Sequence, residues 1–288
     1  MSTLNNLDAQ PTTGAWIGAV KLVDLGRARR WGAWYVAEYR LRNMSKWWQA
    51  IIAFGIGNPV LYLISIGLGI GSLINKSTGG HGVDGVSYLE FLAPALLATA
   101  CIQGAMDETS FPVLEGFSWT RFLYAMNATS LRGSQITGGI MIASFIRCVA
   151  TAIMYGGILV AFGAINPTHL PALMFASIFA GMGFAAVMMA MASHVRDDDG
   201  FFAIVGRFVI APMFMFSGTF YPIESMPLYL QWIGWISPLW HSTDMGRNLS
   251  YGHEVAPWLM LIHFAYLAAL YFVGFYFAAK QFAKRLAE

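Results

Sequence analysis

The chain has 288 residues, of which 57% are hydrophobic and 11% charged, with a mean hydropathy of +0.56 and a formal net charge of +2. A soluble domain carries roughly 25% charged residues, so this composition excludes a water-soluble fold, and it is too apolar for a disordered chain. The small net charge argues against a nucleic-acid partner, and at about 20 residues per span the length holds roughly five to seven membrane helices.

Residues 1–49 are predicted to form a cytoplasmic N-terminus that carries an interfacial helix. Trp31, Trp34, Tyr35 and Tyr39 recur at i, i+3, i+4 and i+8, which places them on one helical face. Arginines flank and interleave them, and Trp47 and Trp48 follow. Such a face anchors a chain at headgroup level, and it can also touch a partner protein. No short apolar core with a small-residue cleavage site is visible, so the first span is expected to serve as its own insertion signal.

Six apolar stretches follow, at about 50–74, 89–110, 135–163, 170–193, 201–220 and 257–279. They are continuous and rich in Leu, Ile, Ala, Met and Phe, without the alternating segments of about 10 residues that barrel strands show. The expected fold is therefore an all-α integral membrane protein, with a six-span domain over 50–280 and a cytoplasmic tail over 281–288. Between spans five and six, Pro222, Pro227 and Pro238 interrupt patches too short to cross a bilayer. That stretch predicts short re-entrant or interfacial helices on the outer side.

Thirteen of the seventeen Lys and Arg residues lie before span one, in the loops after spans two and four, and in the tail. The opposite side keeps Lys76 and Arg247. The positive-inside rule then puts both termini in the cytoplasm.

Charge within the spans is the next signal. Arg147 sits near the middle of span three and Arg207 in the first third of span five, while Asp107 and Glu108 end span two and Glu115 follows. Either the acids pair with the arginines between spans, or Asp107, Glu108 and Arg207 snorkel to the interface. The triple acid Asp197-Asp198-Asp199 reads as a solvated loop or as a site for a basic partner surface. Cys101 and Cys148 are expected to be buried thiols, with no disulfide and no metal. His263 in span six is either a packing residue or part of a proton relay. His241, Ser242 and Asp244 are triad-type residues, but triads assemble in space and not by adjacency. Gly67 and Gly71 allow close helix contact. No Gly-x-x-x-x-Gly-Lys-Ser/Thr loop occurs, so ATP is not expected to bind in the P-loop manner.

Three stretches together resemble one family. They are Asn58-Pro59-Val60-Leu61-Tyr62-Leu63 running into Gly67-Leu68-Gly69-Ile70-Gly71; Tyr88-Leu89-Glu90-Phe91-Leu92-Ala93-Pro94, continuing to Gly116-Phe117-Ser118-Trp119; and Phe216-Ser217-Gly218-Thr219-Phe220-Tyr221-Pro222, continuing to Trp235-Ile236-Ser237-Pro238-Leu239-Trp240-His241. In this order the chain resembles the ABC-2 type permeases, closest to the branch of the nodulation lipo-oligosaccharide exporter and the daunorubicin-resistance permeases. The resemblance covers residues 30–285.

The resemblance implies a multi-pass protein of a bacterial inner membrane that is not itself an enzyme. It implies a second permease subunit, identical or homologous, and two separate ABC ATPase subunits that bind ATP and Mg, with no cofactor on this chain. Membrane lipid is the remaining partner, and the cargo is an amphipathic lipid, lipid-linked glycan or drug. The segment from Glu115 to Thr129 becomes the ATPase-coupling element, with Phe117, Trp119, Arg121, Phe122 and Tyr124. An aromatic, partly basic segment of this kind can dock in a partner's groove, or act as one more interfacial anchor. Spans one and five become the dimer interface, with Tyr62, Met213, Phe214, Phe216, Phe220 and Tyr221 on the substrate path. Met and aromatic side chains suit lipid or sugar faces, and they equally serve ordinary packing. The rival readings are an intramembrane lipid-modifying enzyme, which needs a catalytic cluster at one membrane face, and a passive channel or scaffold.

Overall fold

A computed structural model of the chain describes residues 25–77, 79, 82–197 and 200–288. Lys21 of the basic N-terminal segment, and Asp198 and Asp199 of the triple acid, lie outside the described residues. The described chain is helical, and its one β-type pairing is an isolated bridge between Val83 and Val86.

Helix α1 (Leu25–Met44) buries Gly32, Val36, Ala37 and Arg40 and turns Trp31, Trp34, Tyr35 and Tyr39 outward. The aromatic face read from the sequence is thus the exposed one. A single 3-10 turn leads into α2 (Trp48–Tyr62), which passes through a π-helical stretch, Leu63–Ile70, into α3 (Gly71–Ser77). Pro59, inside α2, has no N–H to donate and its ring crowds the carbonyl one turn back, and the wider turns follow directly. Gly67 and Gly71 let this stretch approach Leu89 and Tyr88.

Helix α4 (Tyr88–Thr109) opens with a capping box, in which the Glu90 N–H donates to Ser87 Oγ and the Ser87 N–H donates to the Glu90 carboxylate. Two short helices, α5 (Phe111–Ser118) and α6 (Phe122–Asn127), lead to α7 (Gly133–Ala161) and α8 (Leu170–His194). Next come α9 (Phe201–Val205), a second π stretch, Gly206–Ile210, and α10 (Ala211–Phe216), whose first turn holds Pro212. The stretch predicted to carry short helices forms α11 (Leu228–Ile236) and α12 (Pro238–Tyr251). The first exposes Leu228, Tyr229 and Trp232, whereas the second buries most of its residues. Helix α13 (Pro257–Ala287) completes the chain.

Among the described residues, five helical runs are long and apolar enough to cross a membrane: Gly26–Ile74, Tyr88–Ser118, Gly133–Ala161, Leu170–His194 and Pro257–Ala287. The predicted fifth span at 201–220 is shorter, Phe201–Phe216. Gly200 starts it in the left-handed region and Gly218 leaves it the same way. At 1.5 Å per residue it reaches about 24 Å, against a hydrocarbon core of about 30 Å.

Helices α4 and α8 form the centre, with α7 and α13 packed against them. Close approach rests on glycine. Gly181 of α8 sits against the Cys101 carbonyl of α4 and the Cys148 sulfur of α7, and Gly274 of α13 sits against the backbone of Ala186 and Val187. Small residues of this kind let helix backbones meet where no water is present to drive association. Both cysteines are free and buried, as expected, and the Cys148 thiol donates to the Cys101 carbonyl at 3.6 Å.

Candidate functional site

One end of the bundle gathers the α4–α5–α6 corner, the start of α7 and the ends of α8 and α13. Arg285, in the last turn of α13, holds it together. Its guanidinium donates to the carbonyls of Ser193 (3.0 Å) and Val195 (2.6 Å) and to Ser118 Oγ (3.2 Å), and it stacks over the Phe117 ring at 4.3 Å. Ser118 in turn donates to the Arg196 carbonyl at 2.6 Å, and Asn127 to the Leu286 carbonyl at 3.2 Å.

The five coupling candidates separate here. Trp119 is 60% exposed, and Arg121 is exposed, with its backbone in the left-handed region at φ +53°. Phe117 is instead buried, edge-on to Phe282 at 4.8 Å and to Tyr124 at 5.8 Å. Phe122 and Tyr124 are half-buried, and Phe122 packs on Tyr39 of α1 at 5.6 Å. The corner therefore offers Trp119 and Arg121 outward while Phe117 clamps it to α13.

Above this corner lies an ion network. Arg147 Nη2 meets Asp107 Oδ2 at 2.9 Å and its Nη1 lies 3.8 Å from Glu108 Oε2. Arg40 reaches the other Glu108 oxygen, with Nε 2.7 Å away. Acid–base pairing between spans is thus what Asp107, Glu108 and Arg147 do. Glu108 is 2% exposed, so it does not snorkel. Arg207 does face outward, and it forms no ion pair among the described residues. Sequence reading missed Arg40, which it counted with the basic N-terminus. The available signal was its place on the Gly32–Val36 face, opposite the aromatic one.

The network closes one end of a cavity of about 820 Å³ between α1, α2, α4, α7 and the α9–α10 segment. Tyr62 and Phe214, from the two predicted path segments, line it and meet edge-on at 6.1 Å. Asn58, Gln103, Thr151 and the buried Tyr155 add polar groups. Met213 is buried outside the cavity lining. Phe216, Phe220 and Tyr221 lie beyond it, where the Phe220 carbonyl accepts from Tyr88 and Tyr221 donates to the Met215 carbonyl, each at 3.1 Å. The cavity therefore combines an apolar aromatic wall with a charged end, which suits an amphipathic molecule.

At the opposite end, the triad-type residues do not assemble as a triad. Ser242 donates to the Ala176 carbonyl at 3.1 Å, while His241 turns to His263 and the Trp235 carbonyl. Arg247 is buried there, donating to the Gly218 carbonyl at 2.7 Å and lying 3.7 Å from the Phe91 ring centre. Gly218, at φ +71°, turns that carbonyl toward it.

Several long apolar helices around a cavity with a charged end define a multi-pass membrane protein. Residues 33–251 match the ABC-2 type transporter family, and the chain belongs to it. Nodulation protein J of Rhizobium leguminosarum bv. viciae is 29% identical over 259 residues, covering 88% of this chain and 95% of that protein. Nodulation protein J of Rhizobium meliloti (strain 1021) is 26% identical over 260 residues, covering 88% and 94%. A protein named "Probable multidrug ABC transporter permease YbhR" from Escherichia coli (strain K12) is 24% identical over 172 residues, covering 57% of this chain and 44% of that one.

Proposed function

We propose that this chain is the permease subunit of an ATP-driven exporter that moves an amphipathic lipid, lipid-linked glycan or drug outward across a bacterial inner membrane. Family membership over residues 33–251 carries the reading. The cavity supports it, because the Tyr62–Phe214 wall suits an acyl or ring system and the Arg40–Glu108–Arg147–Asp107 end suits a polar headgroup. Six spans follow if α9–α10 crosses with the turn at Gly218 filling the remaining depth. The end that holds Arg121, Arg132, Arg196 and Arg285 then faces the cytoplasm, with both termini.

Two ATPase subunits, which hold ATP and Mg²⁺, dock at the α5–α6 corner on Trp119 and Arg121, and a second permease subunit faces spans one and five. Driving motion enters at Trp119 and passes through Phe122 to Tyr39 and Arg40, whose ion pair with Glu108 moves the end of α4. The test is to purify the chain from its native membranes through a tag on the permease, identify any co-purifying P-loop ATPase and reconstitute the two together. A stable complex with ATP-dependent export into inverted vesicles is expected. Transport by the purified chain alone, without ATP or partner, overturns the reading.

A further inference from the structure

At the end of the bundle where α4, α8 and α13 begin, groups from three helices, α11, α12 and α13, form one hydrogen-bonded chain. His263 of α13 is fully buried, with Nε2 2.9 Å from Asp244 Oδ2 and Nδ1 2.7 Å from His241 Nδ1. His241 Nε2 lies 2.9 Å from the Trp235 carbonyl oxygen. Trp240 packs edge-on against both imidazoles at 4.9 Å, and Tyr266 stacks on His241 at 4.0 Å.

The protons of this chain can be counted. Three contacts at hydrogen-bond distance need three protons, one in each gap. The carbonyl has none to give and an ionised carboxylate has none, while two neutral imidazoles supply one each. One proton is missing, and without it two lone pairs face each other across less than 3 Å. Assigning it is direct. His241 must donate to the carbonyl through Nε2, so as a neutral ring its Nδ1 accepts from His263, and with Asp244 ionised His263 then donates from both nitrogens. Burial, reinforced by the neighbouring His263, pushes His241 down to about 4, in keeping with a neutral ring there.

We propose that His263 is a buried proton-binding site, holding an imidazolium between His241 and the Asp244 carboxylate. The pair is neutral overall, which is what makes a charge at this depth tolerable. On loading, a proton from water adds to His263 Nε2, forming the N–H that bonds Asp244, and on release the ring returns to neutrality and that bond is lost.

The access route is also visible. His253, half-buried in the loop before α13, has Nε2 3.7 Å from Asp244 Oδ1 and Nδ1 2.6 Å from Asp84 Oδ2. Asp84 is fixed at the tip of a two-residue turn, closed by paired hydrogen bonds between Val83 and Val86, and it also accepts from Tyr251 at 3.0 Å. The other charged groups nearby are Arg247, whose guanidinium is engaged by Gly218 and Phe91, Glu224, and the exposed Glu254. The site therefore latches α12 to α13 when loaded and weakens that tie when empty. This inference is independent of the transport reading.

The experiment uses the full chain, with ¹⁵N-labelled histidine, in lipid vesicles, and reads the six imidazoles by solid-state NMR between pH 6 and 9. One imidazole is expected to carry protons on both nitrogens at pH 8, where exposed histidines carry one. That signal is lost in H263Q and D244N and kept in H169Q. H253Q keeps the signal but slows its response to a pH jump. Six singly protonated imidazoles in the wild-type protein at pH 8 overturn the proposal without any variant having to fold, and survival of the doubly protonated signal in H263Q does the same.

Discussion

Glu108 shows what a single buried charge demands. It is nearly inaccessible, and two arginines from different helices share its oxygens. Removing one partner strands the other, and breaking a buried pair costs about 3–5 kcal/mol, whereas apolar replacement of both partners is often neutral. Arg40→Met is therefore expected to lower the unfolding free energy by about 3 kcal/mol, with Arg40→Met/Glu108→Leu recovering most of it. Thermal unfolding in detergent reads this directly, and a double variant no better than the single one would show that the network's value lies elsewhere. The sequence makes half of this visible. An arginine in the middle of an apolar run points to a partner in another span, and Asp107 and Glu108 were the nearest acids. Arg40 was hidden because charge counting treats every basic residue before span one as loop, and only the helical face it shares with Gly32 and Val36 separates it from its neighbours.

Elements respond differently according to which side of the α5–α6 corner a residue occupies. Phe117 is core, gripped by Phe282 and Arg285, so Phe117→Ala is expected to cost about 3–5 kcal/mol. Trp119→Ala removes an exposed ring, so stability is expected to stay within about 0.5 kcal/mol while export and ATPase stimulation fall together. If Trp119→Ala/Phe122→Ala leaves both activities intact, the coupling role is wrong. The α8–α13 seam is a second case. A side chain at Gly274 meets the Ala186 and Val187 backbone at 2.8 Å, so Gly274→Val is expected to cost about 1–3 kcal/mol by forcing the helices apart. At Gly157 of α7 nothing lies within 4 Å, so Gly157→Ala is expected to be neutral or to stabilise by up to about 1 kcal/mol. Helix positions were legible because a spanning helix must be a long apolar run. The shortness of the fifth was not, because the apolar run from Phe201 is broken only by Arg207 before its end, which is a backbone event at Ser217 and Gly218. The His263 site was also out of reach, since its partners lie 19 and 22 residues away and meet only when α12 folds back on α13.

The whole molecule leaves one wall of its cavity thin. Tyr62 and Phe214 meet through their rings, and outside that contact the α2 and α9–α10 segments present large apolar side chains: Leu61 is 67% exposed and Phe208 72%. Both segments carry a π stretch next to a proline, an arrangement that leaves carbonyls off the regular ladder and makes a wall easier to deform than a plain helix. The proposed exporter of two permeases would need such a wall at its seam, where the proposed cargo path between protomers must open without unfolding the centre. On that proposal the buried α4–α8 pair is the rigid part and the two π-bearing segments are the movable part. Cysteine cross-linking separates this from a wall that merely faces lipid. Cys101 and Cys148 are buried, so a Cys101→Ala/Cys148→Ala background tolerates a single reporter with little change in packing. Phe208→Cys and Leu61→Cys, each in that background, are expected to form disulfide-linked dimers in native membranes, with cargo present during turnover slowing the reaction. Phe272→Cys on α13 is just as exposed and is expected to stay monomeric, because α13 contributes no residue to the cavity lining. Equal cross-linking at all three positions would mean random collision in the bilayer. Cross-linking at Phe272 alone would move the dimer seam to α13 and leave the Tyr62–Phe214 wall as a lateral gate to lipid.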